Sequence, residues 1–529
     1  MEQAICKPRL STSGRIIRST GVLAAATGLS RVLGFVRDIL MAQLFGASAQ
    51  AEAFVVAFRL PNLLRDLVAE GAVASAIVPG LGRQRATGDP AAFWAVTQAL
   101  LAKLTVLLCV VGLAGVVAAP QIVTVVAPGF LNDPEKFDLT VRLTRVLFPF
   151  ITLVGLWAYF MGLLNTLGHF AVPALGPAIL NIAMIVACVW VVPRTSPGVV
   201  ALAVAVVIGG VVQLAIQIPI AMRLGFRWGW RWSNPEAAGI LRLLGPRVAG
   251  SAVYQANVLI DTMLASWGSV VGAGAVACLY FANRLVQLPL ALIGTASAQA
   301  SLPSLAEQAG TNDLRAVAAT LRSVLRLVAF LVVPAAAGLV VLADPLVVGL
   351  LERGAFDHQA SLMTADAVRF YALGLVAFSA NKVLTNGFYA LHDTWTPVRL
   401  AIEVVIMNVI LSLVLMWPMR IGGLALAAAV TNTINAYRLS RRLEQRLGEP
   451  LLQPLAGSLW RMAAAVAAMA AGCIGVWHAG GFAARPVAGL VVVVPAGIVL
   501  YLAACWALRV EELAKAFRWV STILPLSNE

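Results

Sequence analysis

The chain has 529 residues, 60% of them hydrophobic and 12% charged, with a mean hydropathy of +0.88. A soluble domain is roughly half apolar and a quarter charged, so this composition excludes a globular fold and leaves no room for a large soluble domain. The net charge of +14 points away from nucleic acid, because no binding motif or aromatic–basic platform accompanies it, and toward the basic loops of a membrane protein.

The first 20 residues are polar and basic and lack the apolar run and cleavage site of a signal peptide, which places the N-terminus in the cytoplasm. Apolar windows then fall at roughly 18–46, 50–82, 91–119, 137–165, 170–193, 198–224, 236–267, 272–306, 313–342, 359–390, 395–418, 421–444, 456–480 and 486–508, about 14 helices by the ~20-residue criterion. Pro61, Pro149, Pro289 and Pro334 sit inside windows, where proline kinks a helix. Loops on the side of the N-terminus, with both tails, carry about 17 basic residues, among them Arg83, Arg85, Arg223, Arg227, Arg231 and Arg438; the opposite loops hold about five, including Lys136 and Arg194. The positive-inside rule then puts both termini in the cytoplasm. The six cysteines are scattered, show no metal or disulfide spacing, and read as packing residues.

The chain repeats itself weakly. At an offset of 224 residues Pro79 matches Pro303, Arg145 matches Arg369, and "LGHFAVP" (167–173) falls on "LHDTWTP" (391–397); "RDILMA" (37–42) resembles "IDTMLA" (260–265) one residue out of step. The repeat covers six helices, an even number, so both copies share one orientation. The expected fold is an all-α polytopic membrane protein of about 14 transmembrane helices. Two parallel-repeat six-helix lobes (18–232 and 233–450) surround a central cavity. Two extra C-terminal helices (451–510) and cytoplasmic tails (1–17 and 511–529) complete it.

Polar residues interrupt this pattern. Arg31, Arg37, Arg59, Arg65, Arg247, Arg284 and Arg369 lie within spans. Each basic residue at a helix centre costs roughly 2.5–3.5 kcal/mol on insertion scales, so three central ones cost on the order of 8–10 kcal/mol unless they face water together. In the second span Glu52, Arg59 and Asp66 recur every seven residues, with Asn62 and Glu70 on the same helix face. The alternative is a set of structural ion pairs, Arg31 with Asp38 and Arg59 with Asp66. Against it, arginines outnumber carboxylates here, and a guanidinium surplus selects an anion, phosphate above all. The residues alone thus describe an alternating-access carrier for a phosphorylated or acidic substrate. No Walker A sequence, HExxH, GxSxG or paired metal ligands occur, no residue is assigned a catalytic role, and the chain reads as a transporter rather than an enzyme.

At "TGLSRVLGFVRDILMAQLFGASAQAEAFVVAFRLPNLLRDLVAEGAVASAIVPGL" (27–81) the sequence resembles the MurJ/MviN family of lipid II flippases, and the likeness continues through "GLLNTLGHFAVPALGPAILNI" (162–182), "LIDTMLAS" (259–266), "YFANRLVQLP" (280–289) and "GFYALHDTWTP" (387–397). The resemblance implies a transporter of the multidrug/oligosaccharidyl-lipid/polysaccharide exporter superfamily in the bacterial inner membrane. It would move the undecaprenyl-diphosphate-linked peptidoglycan precursor from the inner to the outer leaflet for cell-wall synthesis and cell shape. It places the cavity arginines on Arg31, Arg37, Arg65 and Arg284, as ligands of the diphosphate. Asp38, Arg59 and Asn62 join the site, and Glu52 stands where many members have aspartate. Gln287 replaces a common glutamate, which leaves that position a hydrogen-bonding role. The resemblance further implies a lipid-tail groove in the last two helices, cell-wall synthesis proteins as partners, and no cofactor. The driving force is an ion gradient or the membrane potential, with Asp261 as a sodium ligand. Other expectations stay open: an exporter of another lipid-linked glycan or a drug, a membrane enzyme of lipid-linked phosphate, or a scaffold.

Overall fold

The structure, a computed structural model, describes residues 12–66, 76–453 and 456–513, with side chains at all of these except 12–24, 64, 66, 243–254, 456, 458 and 459. Glu70, Cys6 and the side chains of Asp66 and Arg247 therefore lie outside the described residues.

Among the described residues every regular element is helical: α1 (Thr12–Phe45), α2 (Ala49–Asp66), α3 (Val78–Ala86), α4 (Pro90–Val117), α5 (Ala119–Val126), α6 (Pro134–Leu147), α7 (Pro149–Thr166), α8 (Ala171–Ala174), α9 (Gly176–Val186), α10 (Gly198–Ala215), α11 (Gln217–Arg223), α12 (Pro235–Ala265), α13 (Gly268–Val271), α14 (Ala275–Pro289), α15 (Ala296–Gly310), α16 (Leu314–Val341), α17 (Ala343–Leu351), α18 (His358–Leu373), α19 (Leu375–Ala390), α20 (Trp395–Leu447), α21 (Ala456–Ala479) and α22 (Pro486–Ala507). Two compact units result. One holds α1 to α11 and the start of α12 as far as Gln255; the other takes the rest, with Gly46–Ser48.

Nine helices or continuous helical stretches among the described residues are long and apolar enough to cross a membrane, and the bent pair α18–α19, hinged by 45°, makes a tenth. α1, α2 and α12 are not in that set; they carry Arg31, Arg37, Glu52, Arg59, Arg65 and Asp261. The 53 residues of α20 would run ~80 Å as one straight helix, far beyond a ~30 Å hydrocarbon core. They turn at Arg420 (φ 49°, ψ −129°), just past Pro418. Gly423 is required there, since a Cβ would sit 2.2 Å from the Leu415 carbonyl oxygen.

The prolines act in two ways. Pro149 lies at the break between α6 and α7 within the continuous stretch Pro134–Thr166, and at the first position of α7 its missing N–H costs nothing. Pro289 ends α14 and hands over to a wider π-helical stretch, Leu290–Thr295.

The turns carry the internal repeat at the 224-residue offset. Gly168 and His392 both take positive φ, 85° and 58°. Around Gly168 the N–H groups of Leu167, Gly168 and His169 donate to Leu163, Asn165 and Leu164; around His392 those of Leu391, His392 and Asp393 donate to Gly387, Tyr389 and Phe388. Asp89 caps α4 and Asp313 caps α16; Asp133 caps α6 and Asp357 caps α18. The long helices also break in step, α4 at Ala118 and α16 at Leu342.

α21 and α22 lie outside the repeat and dock on α16 and α17 through Phe330, Leu342, Met469, Cys473, Val493 and Tyr501. The Tyr501 hydroxyl donates to the Phe330 carbonyl at 2.8 Å.

Candidate functional site

In the first lobe α1 packs on α9. Gly34 faces Asn181 of α9, whose amide nitrogen would lie 3.4 Å from a Cβ there, an ordinary van der Waals contact, and α1 runs unbroken through it. Arg37 exploits the contact. Its Nε and Nη2 donate to Asp38 Oδ1 at 3.0 and 2.7 Å, and its Nη1 donates to Asn181 Oδ1 at 2.8 Å. Asn181 Nδ2 in turn donates to the Ser30 carbonyl at 3.0 Å. Arg37 and Asp38 are 7% and 5% exposed at their side chains, so both charges are withdrawn from solvent and satisfied locally. Asp38 thus pairs with its chain neighbour instead of Arg31 one turn pair away, and Arg31 is exposed.

On α2, Glu52 is buried and forms an ion pair with Lys136 of α6, whose ammonium also lies 3.9 Å from the Phe130 ring centroid. Arg59, Asn62 and Arg65 are half-buried further along the same helix. The face predicted from the seven-residue spacing therefore divides: Glu52 turns into the packed lobe, while the later residues keep access to solvent.

In the second lobe Arg284 of α14 is half-buried, its guanidinium 4.9 Å from the Tyr280 ring centroid and donating to the Tyr280 hydroxyl at 3.3 Å. Its Nη1 donates to Gln287 Oε1 at 3.2 Å, one helical turn on. Gln287 thus supplies the acceptor that a glutamate would, without the charge. Asp261 of α12 accepts from Asn408 Nδ2 of α20 at 3.0 Å; the same nitrogen donates to Asn257 Oδ1 at 3.0 Å, and Thr431 Oγ1 lies 3.5 Å from Asn408 Oδ1. Two oxygens, the Asp261 carboxylate and the Asn257 amide, thus meet at the Asn408 nitrogen, while Asn408 Oδ1 and Thr431 lie on the other side of that amide. No group of three or more His, Cys, Asp or Glu side chains arranged for a metal occurs among the described residues. Arg369 is held by Asp344 and Asp366 at the edge of its lobe.

Sequence reasoning left Asn181, Lys136, Asn257, Asn408 and Thr431 unassigned. Asn181 and Asn408 stand in the sequence as lone amides in apolar spans, and Lys136 reads there as a loop charge.

The fold is that of a membrane transporter built on two repeated helical lobes. It aligns with a solved structure titled "Lipid II flippase MurJ, inward closed conformation" at a TM-score of 0.77 and 23% identity, over 91% of this chain and 97% of the other. It also aligns with an inward-facing MATE family transporter of the MOP superfamily at 0.67 and 15%, over 79% and 94%. The family model for lipid II flippase MurJ matches residues 41–493. The chain is 34% identical over 437 residues to the lipid II flippase MurJ of Burkholderia cenocepacia, covering 82% of this chain and 84% of that one, and 33% identical over 447 residues to the probable lipid II flippase MurJ of Vibrio cholerae, covering the same shares. The chain belongs to the lipid II flippase MurJ family.

Proposed function

We propose that this protein flips lipid II across the bacterial cytoplasmic membrane by alternating access, with both termini in the cytoplasm. The observation that carries the reading is 34% identity to a lipid II flippase over more than four fifths of both chains. The substrate's diphosphate is the natural partner of guanidinium groups, which bind phosphate oxygens two at a time.

The site geometry supports a division of labour. Arg31 is exposed and Arg65 and Arg284 half-buried, so they can meet phosphate directly, with Arg59 and Asn62 beside Arg65 on α2. Arg37 reaches phosphate only by exchanging Asp38 and Asn181 for it, which ties substrate binding to the α1–α9 contact. Tyr280 and Gln287 hold the Arg284 guanidinium in place. Asp261, with Asn257 and Asn408, is the proposed sodium position; Asn408 Nδ2 now occupies the side of the carboxylate that a cation would take. The exposed aliphatic face of α22, with Val491, Ile498 and Val499, suits the lipid tail.

The test is an outer-leaflet accessibility assay for lipid II in cells depleted of their own flippase. The wild-type chain restores labelling. Arg284→Ala abolishes it, Gln287→Glu retains it because the acceptor survives, and Asp261→Asn removes any dependence on external sodium. Full labelling by both Arg284→Ala and Arg31→Ala refutes the arginine assignment. Unchanged labelling by the wild type transfers the protein to another lipid-linked substrate.

A further inference from the structure

Between α11 and α12 the chain reads Phe226-Arg227-Trp228-Gly229-Trp230-Arg231-Trp232, and residues 226–234 form no helix. α11 stops because Gly225 adopts φ 102° and the Phe226 N–H returns to the Ala221 carbonyl at 3.0 Å. Phe226 is buried, with the Phe160 ring at 5.5 Å, Trp228 at 5.4 Å and Trp94 at 6.2 Å. Gln98 Nε2 of α4 donates to the Arg227 carbonyl at 2.9 Å, and Gly229 lies so close to Gln98 that a Cβ would approach its side chain to 2.7 Å. Further on, Lys103 Nζ donates to the Asn234 carbonyl at 3.4 Å, and the Asn234 side chain accepts from Ala237 N–H at the start of α12.

The backbone is therefore tied along α4 at several points. Its tryptophans are not: Trp228, Trp230 and Trp232 are 58%, 68% and 55% exposed. They alternate with Arg227, Gly229 and Arg231 along a stretch that is not helical, and all three indoles and both arginines are exposed. Arg223, Arg227 and Arg231 are exposed, and the stretch from Gln217 to Asn234 contains no Asp or Glu. Three indoles held in water by a fixed backbone are an unfavourable surface. At the boundary between headgroups and acyl chains they are a favourable one, since an indole offers an apolar ring and one N–H donor.

We infer that Phe226–Trp232 is a membrane-surface anchor that binds anionic phospholipid. The tryptophans enter the headgroup layer, and Arg227 and Arg231 answer the net negative charge of the anionic lipid. The occupant follows from charge and place: a purely basic segment leaves the end of an apolar span at Arg223, where the leaflet supplies the negative charge. The role is separate from substrate flipping, and its backbone ties lie within the first lobe.

The test measures binding of acyl-labelled phosphatidylglycerol and phosphatidylcholine to the full-length chain in detergent. Basic residues near an anionic surface contribute about 1 kcal/mol each, so the double variant Arg227→Gln/Arg231→Gln should bind phosphatidylglycerol about 30-fold more weakly and phosphatidylcholine unchanged. Trp230→Ser/Trp232→Ser should weaken both lipids. Arg194→Gln, an exposed arginine between α9 and α10, should change neither. Phosphatidylglycerol binding within twofold of wild type in the arginine double variant overturns the proposal. Competition by inorganic phosphate as strong as that by phosphatidylglycerol reassigns the segment to free anions and overturns it too. Loss of a protein cross-link in native membranes with lipid binding intact would make it a protein-docking surface instead.

Discussion

Replacing Lys136 with methionine isolates the buried ion pair of the first lobe. The substitution keeps the aliphatic stem over Phe130 and removes the charge. Glu52 and Lys136 are 4% and 14% exposed at their side chains, so the carboxylate stays in the packed lobe without its lysine. Removing one partner of such a pair costs about 3–5 kcal/mol. The ammonium over the Phe130 ring adds as much as ~2 kcal/mol where it is desolvated. The double variant Glu52→Gln/Lys136→Met buries two neutral groups instead, and it should fall within about 1–2 kcal/mol of wild type, a strong coupling between neighbours. Thermal unfolding followed with a thiol-reactive dye suits the measurement once Cys6 and the exposed Cys109 are replaced by serine, because Cys188, Cys278, Cys473 and Cys505 are buried until the fold opens. If Lys136→Met unfolds at the wild-type temperature, or if the double variant simply adds the two single costs, the pair does not stabilise the lobe. Flipping assays on the double variant then separate two roles for Glu52. Recovered stability without recovered flipping assigns the carboxylate a contact beyond Lys136.

The same dye assay reads the α1–α9 contact: Asn181→Ala deletes an acceptor for Arg37 and a donor to Ser30 and should cost about 1–3 kcal/mol, whereas Arg37→Ala takes the guanidinium from the buried Asp38 and should cost about 3–5 kcal/mol. Asp393, in the turn before α20, gives a pH signature. Burial pushes its carboxyl up, but the hydroxyl and N–H of Thr396, the Arg446 charge and the Trp395 N–H outweigh burial and hold it below the usual carboxylate value. A lowered folded value means the contribution is complete above the ordinary carboxylate range and disappears as pH falls through the folded value. Asp393→Ala should therefore lower stability at pH 7 by about 0.5–2 kcal/mol, as for a lost helix cap, and the gap to wild type should close on acidification below about pH 4.

Much of the fold was legible because membrane helices advertise themselves by length and apolarity, and the helices do follow the apolar windows. The repeat was legible only faintly. Its strongest structural carriers are the caps at Asp89 and Asp313 and at Asp133 and Asp357, lone identities in divergent loops, and the turns at Gly168 and His392, where positive φ is kept without the residue. The polar site was legible as a set of residue types but not as a set of partners. Spacing along one helix names a face, yet Asp38 chose Arg37 and Glu52 chose Lys136, a residue 84 positions away. Such pairs depend on which helices pack together, which hydrophobic patterning leaves undetermined in a chain where nearly every face is apolar.

The two lobes use one contact with opposite charge. In the first, the α9 amide of Asn181 reaches Ser30 and Arg37 on α1; in the second, the α20 amide of Asn408 reaches Asn257 and Asp261 on α12. Both amides span the same 151 positions to their first partners. By that register Asp261 falls on Gly34, whereas the sequence repeat at offset 223 sets it on Asp38, so the carboxylate is kept and its partner changes from a guanidinium to an amide. A side-chain amide can serve either sign, giving its oxygen to a guanidinium or its nitrogen to a carboxylate. On the proposed function, an anion at Arg37 and a cation at Asp261 would each release one of these contacts. A ligand shifts an equilibrium only through its differential affinity for two states. On the proposed function, phosphate and sodium would each loosen one helix pair of one lobe, which would give the fold separate handles for substrate and driving ion.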